Sequence, residues 1–230
     1  MSEYMSKPWG IQRELSEIRE ALSNYLYRCR REGTNGRWGY LALRELSNLC
    51  ALGAPAAVRP VLPGDSIREM AQAAAVLTAA AGKLFFTELK GVFPRRPVYL
   101  DTAALRTALF NLVSNACRHG DGAARLTVYA GPKRCILLLE NRGAPPAFHG
   151  LGVAAAMACA ARMGGGLRYL WCNQRVYAGL AFPLIPAGDG TGCEIPSAAD
   201  YLADPFSPAY VGLADLGQIP GCTDGPKGIY

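Results

Sequence analysis

Leu105-Arg-Thr-Ala-Leu-Phe-Asn-Leu-Val-Ser-Asn-Ala-Cys-Arg-His119 is the stretch whose reading decides the fold. Asp101 stands before it as an N-cap. Leu105, Leu109, Leu112 and Ala116 recur at helical spacing, so one stripe faces a core. Asn111 and Asn115 share a helix face, roughly 100° round from that stripe. Arg118 and His119 close the helix before Gly120-Asp-Gly122. Two amides with a cation one turn on suit a metal–phosphate group: amide oxygens bind a hard cation such as Mg²⁺, and Arg pairs with phosphate oxygens. The same spacing also suits two amides that cap neighbouring loops.

On the N-terminal side, Ile11 to Glu32 reads as a helix without Gly or Pro, its apolar stripe made by Ile11, Leu15, Ile18, Leu22, Tyr25, Leu26 and Cys29. Gly33-Thr-Asn-Gly36 breaks it, and a second helix is predicted from Trp38 to Leu52, with Leu41, Leu43, Leu46 and Leu49 apolar. The two form an antiparallel hairpin with an uncovered stripe. That stripe must pack on the rest of the chain or on a second copy, and a four-helix dimer is the simplest solution. Gly53 to Pro60 reads as a linker, followed by a short extended piece at Val61-Leu62. Ser66-Ile-Arg-Glu69 has the pattern of a capping box and is expected to open an Ala-rich helix that Gly82 ends. Leu84–Lys90 and Pro97–Leu100 read as strands.

Beyond the Asn-bearing helix, Ala124–Ala130 and Cys135–Glu140 form a predicted hairpin whose second strand is apolar almost throughout and therefore central. Gly150-Leu-Gly152 opens a helix through Met163, and Leu167–Cys172 with Tyr177–Phe182 make a last hairpin around Asn173-Gln-Arg175. This order implies an α+β fold, a two-layer sandwich of helices on a mixed β-sheet, preceded by the helical hairpin. The divisions are residues 1–55 (hairpin), 60–186 (body) and 187–230, a Gly- and Pro-rich acidic tail expected to be largely irregular. Tyr201-Leu202 and Pro205–Leu213 are the parts of it suited to docking on the body.

The chain has 230 residues and a formal net charge of +6. Residues 187–230 hold six acids against Lys227, a net of −5, so residues 1–186 carry +11. Such a body attracts an anionic ligand or an acidic partner, but it lacks the dense basic run with interleaved aromatics that nucleic acid would require. None of the eight cysteines forms a C-x-x-C pair, and with two histidines a zinc site is not expected. No apolar run reaches the roughly 18 residues of a membrane span. The start lacks a secretory h-region, and a cytoplasmic location with reduced thiols is expected.

Asn111-Leu-Val-Ser-Asn-Ala-Cys-Arg-His119 resembles the N box of the ATP-binding domain shared by sensor histidine kinases, gyrase-type topoisomerases and Hsp90-type chaperones. The resemblance implies Mg²⁺ on Asn115, Asn111 beside the phosphate chain as the catalytic position, and Arg118 and His119 approaching the phosphates. The family's first glycine box, Asp-x-Gly-x-Gly, is matched by Asn141-Arg-Gly-Ala-Pro145, with Asn141 at the adenine-binding Asp position and Gly143 retained. An Asn oxygen still accepts from the adenine amino group, without charge assistance. The second glycine box resembles Gly150-Leu151-Gly152 opening a helix, where backbone N–H groups face phosphate. Only Ala147-Phe-His149 stands where the family carries its long lid.

Leu15-Ser-Glu-Ile-Arg-Glu-Ala-Leu22 resembles the phosphoacceptor helix of histidine kinases with Ser16 at the His position, so no acceptor imidazole is present. What the resemblance implies is an ATP- and Mg²⁺-binding histidine kinase-like signalling protein without its own phosphoacceptor, dimeric through the hairpin. It would act in trans on a response regulator or another signalling protein, or as a nucleotide-gated regulator. Two alternatives stand beside it. One is a pseudokinase interaction module with little or no nucleotide chemistry. The other is an anti-sigma-type serine kinase, whose members usually lack such a hairpin.

Overall fold

The computed structural model describes residues 8–32, 36–144, 150–188 and 195–216. Two helices, α1 (Pro8–Arg31) and α2 (Arg37–Gly53), form the expected hairpin. A short strand β1 (Arg59–Val61) leads to α3 (Pro63–Ala80), then β2 (Leu84–Gly91), β3 (Val98–Leu100) and the Asn-bearing helix α4 (Thr102–His119). The body continues with β4 (Ala123–Ala130), β5 (Arg134–Arg142), α5 (Leu151–Arg162), β6 (Gly166–Cys172), β7 (Arg175–Pro183) and β8 (Ile185–Pro186). Two short helices, α6 (Ala198–Ala203) and α7 (Pro208–Gly212), and a 3₁₀ turn, Ala214–Leu216, follow.

The main sheet has the order β2-β4-β5-β7-β6, with β2 parallel to β4 and the other pairs antiparallel. It is mixed, and β5 is its central strand, as its unbroken apolar run predicts. Leu126, Val128, Leu137, Leu139, Leu180 and Phe182 point to one face of the sheet and are fully buried. They pack under Leu105, Leu109, Leu112 and Ala116 of α4, Met70 and Leu77 of α3, and Ala156 and Ala160 of α5. Each large apolar side chain buried there contributes about 2 kcal/mol. The β6–β7 turn places Asn173 and Gln174 at φ 50° and 59°, the conformation a two-residue hairpin of matching twist requires. A second, three-stranded sheet of order β1-β3-β8 lies apart from the first.

Three local expectations are revised. Helix α3 starts at Pro63 rather than Ser66, because Pro fits the first helical position and needs no N–H there. Ser66 is therefore inside the first turn, and Glu69 reaches away from it to accept from the Ala198 amide at 2.6 Å. The hairpin stripe divides: Leu26 and Cys29 are buried, whereas Ile18 and Tyr25 are more than half exposed. The third concerns the tail, where the stretches singled out for docking, Tyr201-Leu202 and Pro205–Leu213, do pack on the body but as helices. Residues 198–216 fold into α6, α7 and the 3₁₀ turn, with Ala209 and Leu213 fully buried. Tyr201 meets Phe110 edge-on at 6.2 Å, and Phe206 stacks on Tyr40 of α2 at 5.7 Å. The apolar residues of this segment outweigh its acidic, Gly-rich composition. Its own capping box, Ser197 with Asp200, starts α6.

Helix α4 is thus enclosed on both sides. Its core stripe faces the sheet, and its opposite flank, Phe110, Asn111 and Ser114, lies beneath α2, α7 and the 3₁₀ turn. Gly39 lets α1 and α2 meet, since a Cβ there would come within 2.4 Å of the Leu26 Cδ2.

Candidate nucleotide site and the network that covers it

Asp101 anchors the start of α4. Its side chain is fully buried and caps the helix by accepting from the Ala104 amide at 2.9 Å. It also accepts from the Ala57 amide at 3.1 Å and from Arg162 Nη2 at 2.9 Å. The carboxylate thereby ties the linker after α2, the first turn of α4 and the last turn of α5 together.

Nearly three turns along, Asn111 is almost fully buried and spoken for on both sides of its amide. Its Nδ2 donates to Asn48 Oδ1 at 2.8 Å and to the Thr107 carbonyl at 3.0 Å. Its Oδ1 accepts from Arg44 Nη2 at 3.4 Å. Arg44, on α2, also donates from Nη2 to Ser114 Oγ at 3.1 Å and from Nη1 to Asp215 Oδ2 at 2.7 Å. Ser114 donates to Asp215 Oδ1 at 2.6 Å, and Arg118 Nη1 lies 3.4 Å from Asp215 Oδ2. The side chains of Arg44 and Asp215 are each 6 % exposed, so this is a buried ion pair supported by additional hydrogen bonds. It joins the hairpin, the Asn-bearing helix and the C-terminal segment.

Asn115 is half-buried and hydrogen-bonded to the Tyr169 phenol of β6. Burial pushes that phenol up to about 12, against the effect of the Asn115 hydrogen bond. Arg118 and His119 are exposed at the end of α4. Asn141 is buried at the end of β5, its Nδ2 3.4 Å from the Arg142 carbonyl. It packs on Gly120, where an added Cβ would fall 3.0 Å from that nitrogen. The Gly143 amide donates to the Gln174 carbonyl at 2.9 Å, and its carbonyl accepts from Trp171 Nε1 at 3.2 Å. Gly150, at φ 138°, is the N-cap of α5, and Leu151 and Gly152 form its first turn. Gly152 abuts Asn111 so closely that a Cβ would lie 2.7 Å from the Asn111 Oδ1. Pro145 and the Ala147–His149 connection lie outside the described residues.

The residues singled out from sequence therefore fall into two groups. Asn111 and Gly152 touch directly within the Arg44–Asp215 network. His119 and Gly143 share a depression of about 630 Å³ at the far end of α4. Asn115 lies between the two groups, against Tyr169. Sequence reading missed Arg44, Asn48, Ser114, Asp215 and Tyr169. Arg44 and Asn48 occupy the buried face of α2 with Tyr40 and Ala51, and charged or amide groups at that periodicity were the available signal. For Asp215, the signal was an acid set among Val211, Leu213, Ala214 and Leu216.

No known protein family and no curated protein matches the sequence. The fold does match solved structures. The Acinetobacter baumannii histidine kinase AdeS superposes with a TM-score of 0.50 at 18% identity, over 60% of this chain and 76% of that one. Full-length ShkA in complex with AMPPNP superposes with a TM-score of 0.54 at 20% identity, over 73% of this chain. This chain spans 46% of the length of ShkA. Topology, element order and these superpositions agree: the chain has the ATP-binding fold of the histidine kinase catalytic domains.

Proposed function

We propose that the chain is a histidine kinase-type signalling protein whose nucleotide face is closed by its own hairpin and C-terminal segment, and that it works as a protein-interaction module. The observation that supports this most is the state of Asn111. The resemblance gives it to the phosphate chain of a nucleotide, but its donors and acceptor are taken by Asn48, Thr107 and Arg44. The first turn of α5, from which phosphate-binding N–H groups would come, lies directly on Asn111. The described arrangement does not fit Mg·ATP between α4 and α5. Ser16, exposed on α1, has no imidazole for phosphotransfer.

In this reading the chain pairs with a second copy through the exposed part of the hairpin, where Ile18, Tyr25, Leu49 and Leu52 are 42–55% exposed. The partner is a signalling protein, of which a response regulator is the candidate that the fold suggests.

A second reading is favoured by the far end of α4. Arg118 and His119 are exposed, Asn115 is half-buried, and Gly150 opens α5. These groups would meet a nucleotide once the hairpin moved away, with Asn115 on the Mg²⁺. Calorimetric titration of the full chain with a non-hydrolysable ATP analogue, with and without Mg²⁺, separates the two. The closed module shows no Mg-dependent heat at millimolar analogue. Micromolar, Mg-dependent binding that Asn115→Ala abolishes refutes it in favour of the nucleotide-gated form.

A further inference from the structure

Between the hairpin and the body lies a cavity of about 310 Å³, within the size range of small-molecule pockets. It runs along α4 from Ala103 past Arg106 and Thr107 to Asn111, and does not reach Asn115 or Arg118. Four arginines line it, Arg19, Arg44, Arg106 and Arg162, and no Asp or Glu does. Two of the four are neutralised from outside the cavity, Arg44 by Asp215 and Arg162 by Asp101. Arg19 and Arg106 have no ion-pair partner among the described residues, and Arg106 also donates a hydrogen bond to the Tyr201 phenol. Arg106 Nε, Arg44 Nε and Asn48 Nδ2 are buried donors without a partner among the described residues. A buried donor left unpaired costs about 1–3 kcal/mol. Phe110 and Phe206 supply an apolar wall.

We propose that this cavity is a binding site for a small organic phosphate. Two arginines without a counter-ion on opposite elements, with an amide donor in the same lining, suit an anion with several acceptor oxygens better than a planar carboxylate. The aromatic wall suits an apolar body carrying that group. Arg19 belongs to α1 and Arg106 to α4, so a bound phosphate bridges the hairpin to the body and holds the closed arrangement in place. Nucleotide binding at Asn115 is not required for this.

The test is titration of the full chain with phenyl phosphate in Mg-free buffer, read by calorimetry and by thermal shift. Saturable binding is expected, weakened ten- to hundredfold by Arg106→Gln and by Arg19→Gln, the size of one charge-assisted hydrogen bond. Asn115→Ala should bind as the wild type does, and neutral benzyl alcohol should not compete at equal concentration. Should Arg106→Gln fail to fold, the exposed rim residue Arg19 decides the matter. Absence of binding at millimolar phenyl phosphate, affinity unchanged in Arg19→Gln, or equal loss in Asn115→Ala would each overturn the proposal.

Discussion

Replacing Asp215 with Asn tests the network that covers the Asn111 flank of α4. The carboxylate receives Arg44 Nη1 at 2.7 Å and Ser114 Oγ at 2.6 Å, and both charged side chains are 6 % exposed. Removing one partner of a buried pair typically costs about 3–5 kcal/mol, since the other charge stays buried. Two features reduce that figure here. Arg44 keeps its bonds to Asn111 and Ser114, and Glu45 lies 3.7 Å from its Nη1, although Glu45 is half exposed. Arg118, 54 % exposed, adds little to the pair. An Asn also retains an oxygen that accepts from Ser114. We therefore expect Asp215→Asn to lower the free energy of unfolding by about 2–3 kcal/mol and Asp215→Ala by about 3–4 kcal/mol. The assay is urea denaturation followed by circular dichroism. The double variant Arg44→Met with Asp215→Leu should recover much of the loss, because no unpaired charge remains. If Asp215→Asn costs less than about 0.5 kcal/mol and the double variant is no better than the singles, the pair is not buried in solution. The proposal of a closed nucleotide face would then lose its support.

Two further outcomes are expected. Burial pushes the thiols of Cys117 and Cys159 up to about 11 and that of Cys135 up to about 12. An unfolded thiol ionises near its ordinary value, so the native state binds more protons above about pH 9. The stability these groups contribute is full below pH 9 and falls above it by about 1.4 kcal/mol per pH unit for each thiol. Denaturation from pH 8 to 10.5 should show this slope, and Cys135→Ala should reduce it. A stability flat across that range contradicts the burial. For assembly, the full chain should sediment as a dimer, and Ile18→Glu with Leu49→Glu should make it monomeric with its helical circular dichroism intact. A wild-type monomer would exclude pairing through that face.

Most of the body is legible from periodicity. The stripe of α4, the apolar run of β5 and the glycines at 82, 122 and 150 mark elements whose boundaries agree with the structure to within a residue or two. These are local signals, set by which side chains one element hides. The cover over α4 is of another kind. Asn111 meets Asn48 across 63 residues and Arg44 meets Asp215 across 171. The apolar neighbours of Asp215 mark it as an acid to be buried, but nothing local names Arg44 as its partner. The Gly- and Pro-rich flanks argue for an irregular tail, although Tyr201, Ala209 and Leu213 bury as core residues do. The placement of Ser66 inside α3 shows the same limit at short range: its pattern with Glu69 is that of a cap, and Pro63 supersedes it.

The Arg44–Ser114–Asp215 contact also has a direction in time. Ser114 precedes Asp215 by 101 residues. At ordinary synthesis rates of about 5–20 residues per second, α4 emerges roughly 5–20 s before the carboxylate that completes its cover. During that interval the hairpin can already lie on α4, but Arg44 and Ser114 wait without their anion. A nascent chain therefore passes through an uncovered form that the finished chain leaves behind. Translation stalled before residue 215 would leave Arg44 and Ser114 without their anion, making the Ala214–Leu216 turn the element that completes the cover over α4.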